Sequence, residues 1–176
     1  MRRKLLSPWL CSSSAAAFVL LAASQAFAFE RQWHAGVDAG YANLFGDNSA
    51  GGFGGGGHLA YGLSDAFNAM LELDVTRQPS AGTTIWSSGL GAAYTLDIAR
   101  VVPYIGALGG FYGLQGNPAL KGPAFGGQFA FGLDYLLERS WALGVQFRVH
   151  TIFAAGDAGT LAYATTFLRA EYIWGF

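Results

Sequence analysis

The chain has 176 residues, room for one domain and scarcely for two. Charged residues make up 12%, aromatics 15%, glycines number 26, and the formal net charge is -1. So apolar a chain has ample surface to bury, which excludes disorder, and it lacks the basic excess that nucleic-acid binding needs.

Residues 1–28 have the layout of an export signal. Arg2, Arg3 and Lys4 form a positive start, an uncharged stretch follows with its apolar centre at Ala15 to Ala23, and Ala26-Phe27-Ala28 fits a small-x-small cleavage site. A membrane-spanning helix is the competing reading. Ser7, Pro8, Ser12 to Ser14, Ser24 and Gln25 dilute it, and its strongly apolar part falls short of the roughly 20 residues a span needs. The expected mature domain is therefore 29–176. It carries 7 basic and 11 acidic residues and has lost Cys11, the only cysteine. Neither a disulfide framework nor a thiolate metal site is expected.

Beyond residue 28 the apolar residues recur at every second position, the period of a strand. Trp33, Ala35, Val37, Ala39 and Tyr41 alternate with His34, Gly36, Asp38 and Gly40. A glycine-heavy run, Gly55 to Leu63, is weaker. Phe67 to Thr76 and Trp86 to Tyr94 are clear, and Val101 to Leu114 has ambiguous parity around Pro103. Phe129 to Tyr135, Trp141 to Val149 and Leu168 to Phe176 complete eight expected strands. The connections alternate between tight polar turns (Ser64-Asp65-Ala66, Asp97 to Arg100, Glu138-Arg139-Ser140) and looser loops at Gly46 to Gly54, Pro79 to Thr83, Gln115 to Gly122 and Ala154 to Gly159. That is the pattern of an all-β, eight-stranded, antiparallel up-and-down barrel.

Charge decides which face of the barrel is wet. If the aromatic and aliphatic residues set each strand's parity, Asp38, Glu72, Asp74, Asp134, Arg148, Arg169 and Glu171 all fall on the other face, with His34, His58 and His150. A charge at mid-bilayer on a barrel's outer face costs about 2 to 4 kcal/mol, so a barrel in lipid must turn these groups inward. Aromatic pairs eight residues apart supply a ruler: Trp33 with Tyr41, Trp86 with Tyr94, and Tyr104 with Tyr112. Eight residues of tilted strand rise roughly 20 Å, close to the apolar band between two aromatic girdles. These six residues and Trp141 are the expected girdle positions, with Tyr135, Tyr172 and Trp174 at the turn end and Phe125 and Phe153 at the loop end.

The final residues Tyr172-Ile173-Trp174-Gly175-Phe176 look like the terminal signal of outer-membrane proteins, a last Phe with aromatics at alternate positions upstream. With the export signal and the eight period-two strands, the chain resembles the small eight-stranded outer-membrane β-barrel superfamily over its mature length. That resemblance implies an outer-membrane location and insertion by the assembly machinery, with Tyr172, Trp174 and Phe176 as the recognised edge.

Inside the barrel we expect a charge network in which Arg148 and Arg169 bridge Glu72, Asp74 and Glu171, with Asp38 at a similar height. Inward Phe167, Ile173, Leu136 and Ile152 argue for a plugged interior, whereas inward Gly36, Gly40, Ala60, Gly62, Gly89 and Gly91 leave room for a wet gap. The expected function is a small structural or envelope barrel, a monomer with outer-membrane lipid as its surroundings. The alternative is a narrow channel for small or hydrophobic solutes.

A lipid-modifying enzyme is the third reading, resting on His150 and Glu171. A lipid A deacylase of this architecture also places a His on a late strand, but that family needs a Ser two residues later, where this chain has Ile152. No catalytic residue, cofactor or metal site is assigned: His34, His58 and His150 lie on different strands with no i, i+2 ligand pair. Gly51 to Gly57 lacks a phosphate-loop lysine and is read as a loop running into a strand.

Overall fold

The computed structural model describes residues 31–46, 49–97, 99–116, 123–153 and 159–175. Eight strands follow one another: β1 (Trp33–Leu44), β2 (Ala50–Gly62), β3 (Phe67–Gln78), β4 (Thr83–Thr95), β5 (Val101–Gln115), β6 (Ala124–Glu138), β7 (Trp141–Phe153) and β8 (Thr160–Trp174). Each pairs antiparallel with the next, and β8 returns to β1, so the sheet closes. Closure leaves no unpaired edge, the condition for a sheet to stand in hydrocarbon. The export-signal segment 1–28 and Phe176 lie outside the described residues.

Short-range chemistry makes the tight turns. Between β2 and β3, Leu63 N donates to Phe67 O, and Ser64 Oγ accepts from Phe67 N at 3.2 Å. At the other end, Pro79–Ala81 forms a single 3-10 turn closed by Gly82 in the left-handed region, with φ 61°.

The glycine tract departs from the loop reading. Strand β2 begins at Ala50, so Gly51 to Gly57 are strand residues in continuous register with β1. The reason is steric. A side chain at Gly52 would strike the backbone of Arg77, one at Gly56 the carboxylate of Asp74, and one at Gly51 the ring of Tyr41. Glycine here admits close neighbours instead of loosening the chain.

Alternation runs through every strand. Val37, Leu73, Leu90, Phe129, Phe147 and Leu168 stand exposed on the outer wall, and the residues between them are enclosed. Aromatics gather at the two ends. Trp33 stacks on Trp174, Phe67 meets Tyr94 and Trp141 meets Tyr172 near the tight turns; Phe111, Phe125 and Phe153 touch near the loops. Tyr41, Trp86 and Tyr135 are exposed at the same levels.

Strand β5 reverses one expectation. Tyr104 and Tyr112 point into the barrel, at 8% and 2% exposure, and Val101, Ile105 and Phe111 take the outer wall. Val102 pairs with Asp134 across β5 and β6, and paired residues share a face. An inward Asp134 therefore carries Tyr104 and Tyr112 inward with it. They are interior residues and not girdle residues.

Candidate functional site

The interior is layered along the barrel axis. Near the tight turns Val102, Leu136, Ala142 and Ile173 form an apolar floor. Near the loops Leu44, Ala50, Ile85, Tyr112, Ala124, Ile152 and Tyr163 form an apolar cap. Between them lies a band of ionisable groups contributed by inward positions of β1, β2, β3, β6, β7 and β8.

Two arginines organise that band. Arg148 is fully buried; its Nη1 donates to Asp74 Oδ2 at 2.5 Å and lies 3.3 Å from Glu72 Oε2, and its Nη2 lies 3.4 Å from Asp38 Oδ2. Its Nε donates to Gln146 Oε1 at 2.6 Å, and its guanidinium stands 5.2 Å from the centre of the Phe167 ring. Arg169 donates through Nη2 to Glu171 Oε2 at 2.8 Å, lies 3.6 Å from Asp134 and 3.9 Å from Asp38, and donates to the Tyr104 hydroxyl. The six expected network residues are thus brought together, but partnered differently. Glu72 and Asp74 belong to Arg148, Glu171 belongs to Arg169, and Asp38 lies between the two arginines.

Strand register explains the partnering. Asp38 is directly opposite Arg169, and Gly56 separates Asp38 from Asp74. Having no side chain, Gly56 leaves the space that the Asp74 carboxylate fills.

Asp134, His34, His58, Gln128, Gln146 and Tyr104 complete the band. His58 Nδ1 donates to Asp38 Oδ2 at 2.9 Å, while its Nε2 faces Glu171 Oε2 at 2.9 Å and Arg169 Nη2 at 2.6 Å. His34 Nδ1 donates to Glu171 Oε1 at 2.7 Å. Gln128 and Gln146 donate to the two oxygens of Glu72 at 2.6 and 3.1 Å. Five carboxylates (Asp38, Glu72, Asp74, Asp134, Glu171) therefore face two guanidinium groups, and the histidines and amides supply further donors. Asp134 and both histidines have the inward parity that could have placed them here. Their contacts needed the register, which parity does not give.

Inward glycines serve as sockets. A side chain at Gly36 would meet the His58 ring, one at Gly89 the Gln128 amide, one at Gly132 the Tyr104 ring and one at Gly144 the Asp134 carboxylate. The room that the sequence leaves for a wet gap is filled by neighbouring side chains. A small cavity of about 30 Å³ remains below the charged band, among His34, Asn68, Thr95, Asp134, Arg169 and Glu171. That volume suits one or two waters.

His150 lies above the band, within the cap. Its ring stacks on Tyr163 at 4.1 Å, Tyr112 Oη lies 3.3 Å from Nδ1, and Thr165 Oγ1 lies 3.4 Å from Nε2. At 1% exposure it meets neither lipid nor solvent. Among the described residues no group of three or more His, Cys, Asp or Glu is arranged to hold a metal ion.

Comparison with solved structures gives the same architecture at low identity. Neisserial surface protein A superposes with a TM-score of 0.70 at 18% identity, over 80% of this chain and 96% of that one. Ail, the attachment invasion locus protein of Yersinia pestis, gives 0.59 at 11% identity, over 82% and 99%. The N-terminal barrel domain of Pseudomonas aeruginosa OprF gives 0.55 at 13% identity, over 82% and 98%. A comparison with curated proteins found no match. The family model described as outer membrane protein beta-barrel domain matches residues 13–172, and the chain belongs to that family.

Proposed function

We propose that this protein is a closed structural barrel of the outer membrane, monomeric, without catalytic activity and without a permeation path. The observation that carries the reading is the charged band itself. Arg148 and Arg169 cross the interior to carboxylates of four strands, β1, β3, β6 and β8, and apolar layers lie above and below. Opening an aqueous path would break several buried ion pairs together, each strongly destabilising when one partner is lost. The lipid-modifying reading loses support from His150, which is enclosed between tyrosines and is followed two residues on by Ile152 where that family has a serine.

Residues 1–28 act in this proposal as a removable export signal, leaving 29–176 as the barrel domain. Tyr172, Trp174 and Phe176 serve as the recognition edge for the assembly machinery; Tyr172 and Trp174 stand stacked on the outer wall, 5.9 Å apart.

Planar-bilayer recording tests the closed interior. The refolded protein should give no stable conductance steps at moderate voltage, and a reproducible long-lived open level would overturn the proposal. Lipid A mass spectra from cells with and without the protein test the absence of catalysis, and should be identical.

A further inference from the structure

Strand β3 runs two residues further than its alternation suggested, to Gln78, and this places Arg77 on the outer wall. It is exposed there, and no carboxylate among the described residues pairs with it. Register carries a polar row across three strands, since Arg77 pairs with Thr84 and Thr84 with Gln115. The next row toward the membrane centre is Val75, Trp86 and Gly113, and the one after it is Leu73, Ser88 and Phe111.

Small residues at Gly55, Ser88 and Gly113 leave a groove of about 510 Å³ in these rows, walled by Leu73, Val75, Trp86 and Phe111. That size falls within the usual range of small-molecule sites, about 300–1,000 Å³. Asp74, the carboxylate at its floor, is already held by Arg148 from inside.

We propose that this groove seats one phosphate-bearing lipid of the outer leaflet, with its phosphate on Arg77 and an acyl chain lying along Val75, Trp86 and Phe111. A cation on a barrel's lipid face is nearly free of penalty only near the interface, where lipid phosphates lie. A guanidinium offers a phosphate paired, charge-assisted donors. Thr84 and Gln115 add hydrogen-bonding groups at the same level. A second lateral groove of about 320 Å³, across β5, β6 and β7, is lined by Gly109, Gly127, Phe129 and Phe153 and has no counterpart of Arg77, which stands just beyond the first groove, two residues past its wall residue Val75. It serves as an internal control.

The test is native mass spectrometry of the folded protein released from zwitterionic micelles, with bis-phosphorylated lipid A and its dephosphorylated form as probes. Wild type should retain one bis-phosphorylated lipid, and the dephosphorylated form should bind about tenfold more weakly. Arg77→Gln should lose about tenfold, and Arg77→Lys should keep most of the binding. Gly113→Leu fills the groove at a site where an added Cβ meets only Trp86, at 4.0 Å, and should lose binding as well. Gly127→Leu fills the control groove and should change nothing. Wild-type retention by Arg77→Gln or by Gly113→Leu, or equal binding of the two lipid forms, would overturn the proposal. Free phosphate binding would be abolished by the first variant and untouched by the second.

Discussion

The ring of Tyr104 occupies the space in which a side chain on Gly132, its partner across β5 and β6, would begin. Seated there, it lies 5.1 Å beneath the Arg169 guanidinium and accepts a hydrogen bond from it. Gly132→Val should therefore displace the ring and destabilise the barrel by about 1–3 kcal/mol, the usual cost of overpacking an interior. Tyr104→Phe keeps the shape and removes one acceptor, and should cost about 1–2 kcal/mol. Urea unfolding in lipid vesicles measures both. A Gly132→Val variant as stable as wild type would contradict the seating.

Arg148 neutralises three carboxylates from β1 and β3 at once. Replacing it with Leu leaves Asp38, Glu72 and Asp74 facing one another in an enclosed space. The expected loss is about 3–5 kcal/mol, that of breaking a buried ion pair from one side. Adding Asp74→Asn should restore part of the loss, so the two changes should be non-additive by about 1 kcal/mol or more in the same unfolding assay. Strict additivity would show that the pair is not coupled.

In the turn after β4, burial pushes the Asp97 carboxyl up from 3.8 to about 6, and neither of its oxygens has a hydrogen-bond partner among the described residues. The folded state then holds this proton more tightly than the unfolded chain. Its contribution to stability is present below about pH 4 and is lost as pH rises to about 6. Asp97→Asn should therefore equal wild type at low pH and exceed it at neutral pH. A gap between the two that closes as pH rises would have the wrong sign.

Period-two alternation made the strands and the inward charges legible, because the two faces of each strand meet different media. Register was not legible. Which carboxylate meets Arg148 depends on how β1, β3 and β7 are staggered around the barrel, and no local pattern records that stagger. Reading aromatics as markers of the lipid face also failed for Tyr104 and Tyr112, whose rings fit above inward glycines at 132 and 126. The opposite parity of Val101, Ile105 and Phe111 was the available signal. Arg77 was missed because polar Thr76 ended the visible alternation before it.

Single cysteines carrying spin labels at Ala142, Leu143, Val145, Gln146 and Phe147 of β7 give the most direct test of which face meets hydrocarbon. Cys11 is the chain's one native cysteine and lies before residue 29, so a chain begun there labels nowhere else. In lipid vesicles, oxygen collision should be high at Leu143→Cys, Val145→Cys and Phe147→Cys, and low at Ala142→Cys and Gln146→Cys, whose labels should be immobilised. Uniform values along the strand, or the reverse alternation with residue 146 most oxygen-exposed, would contradict an apolar outer wall around a charged axis.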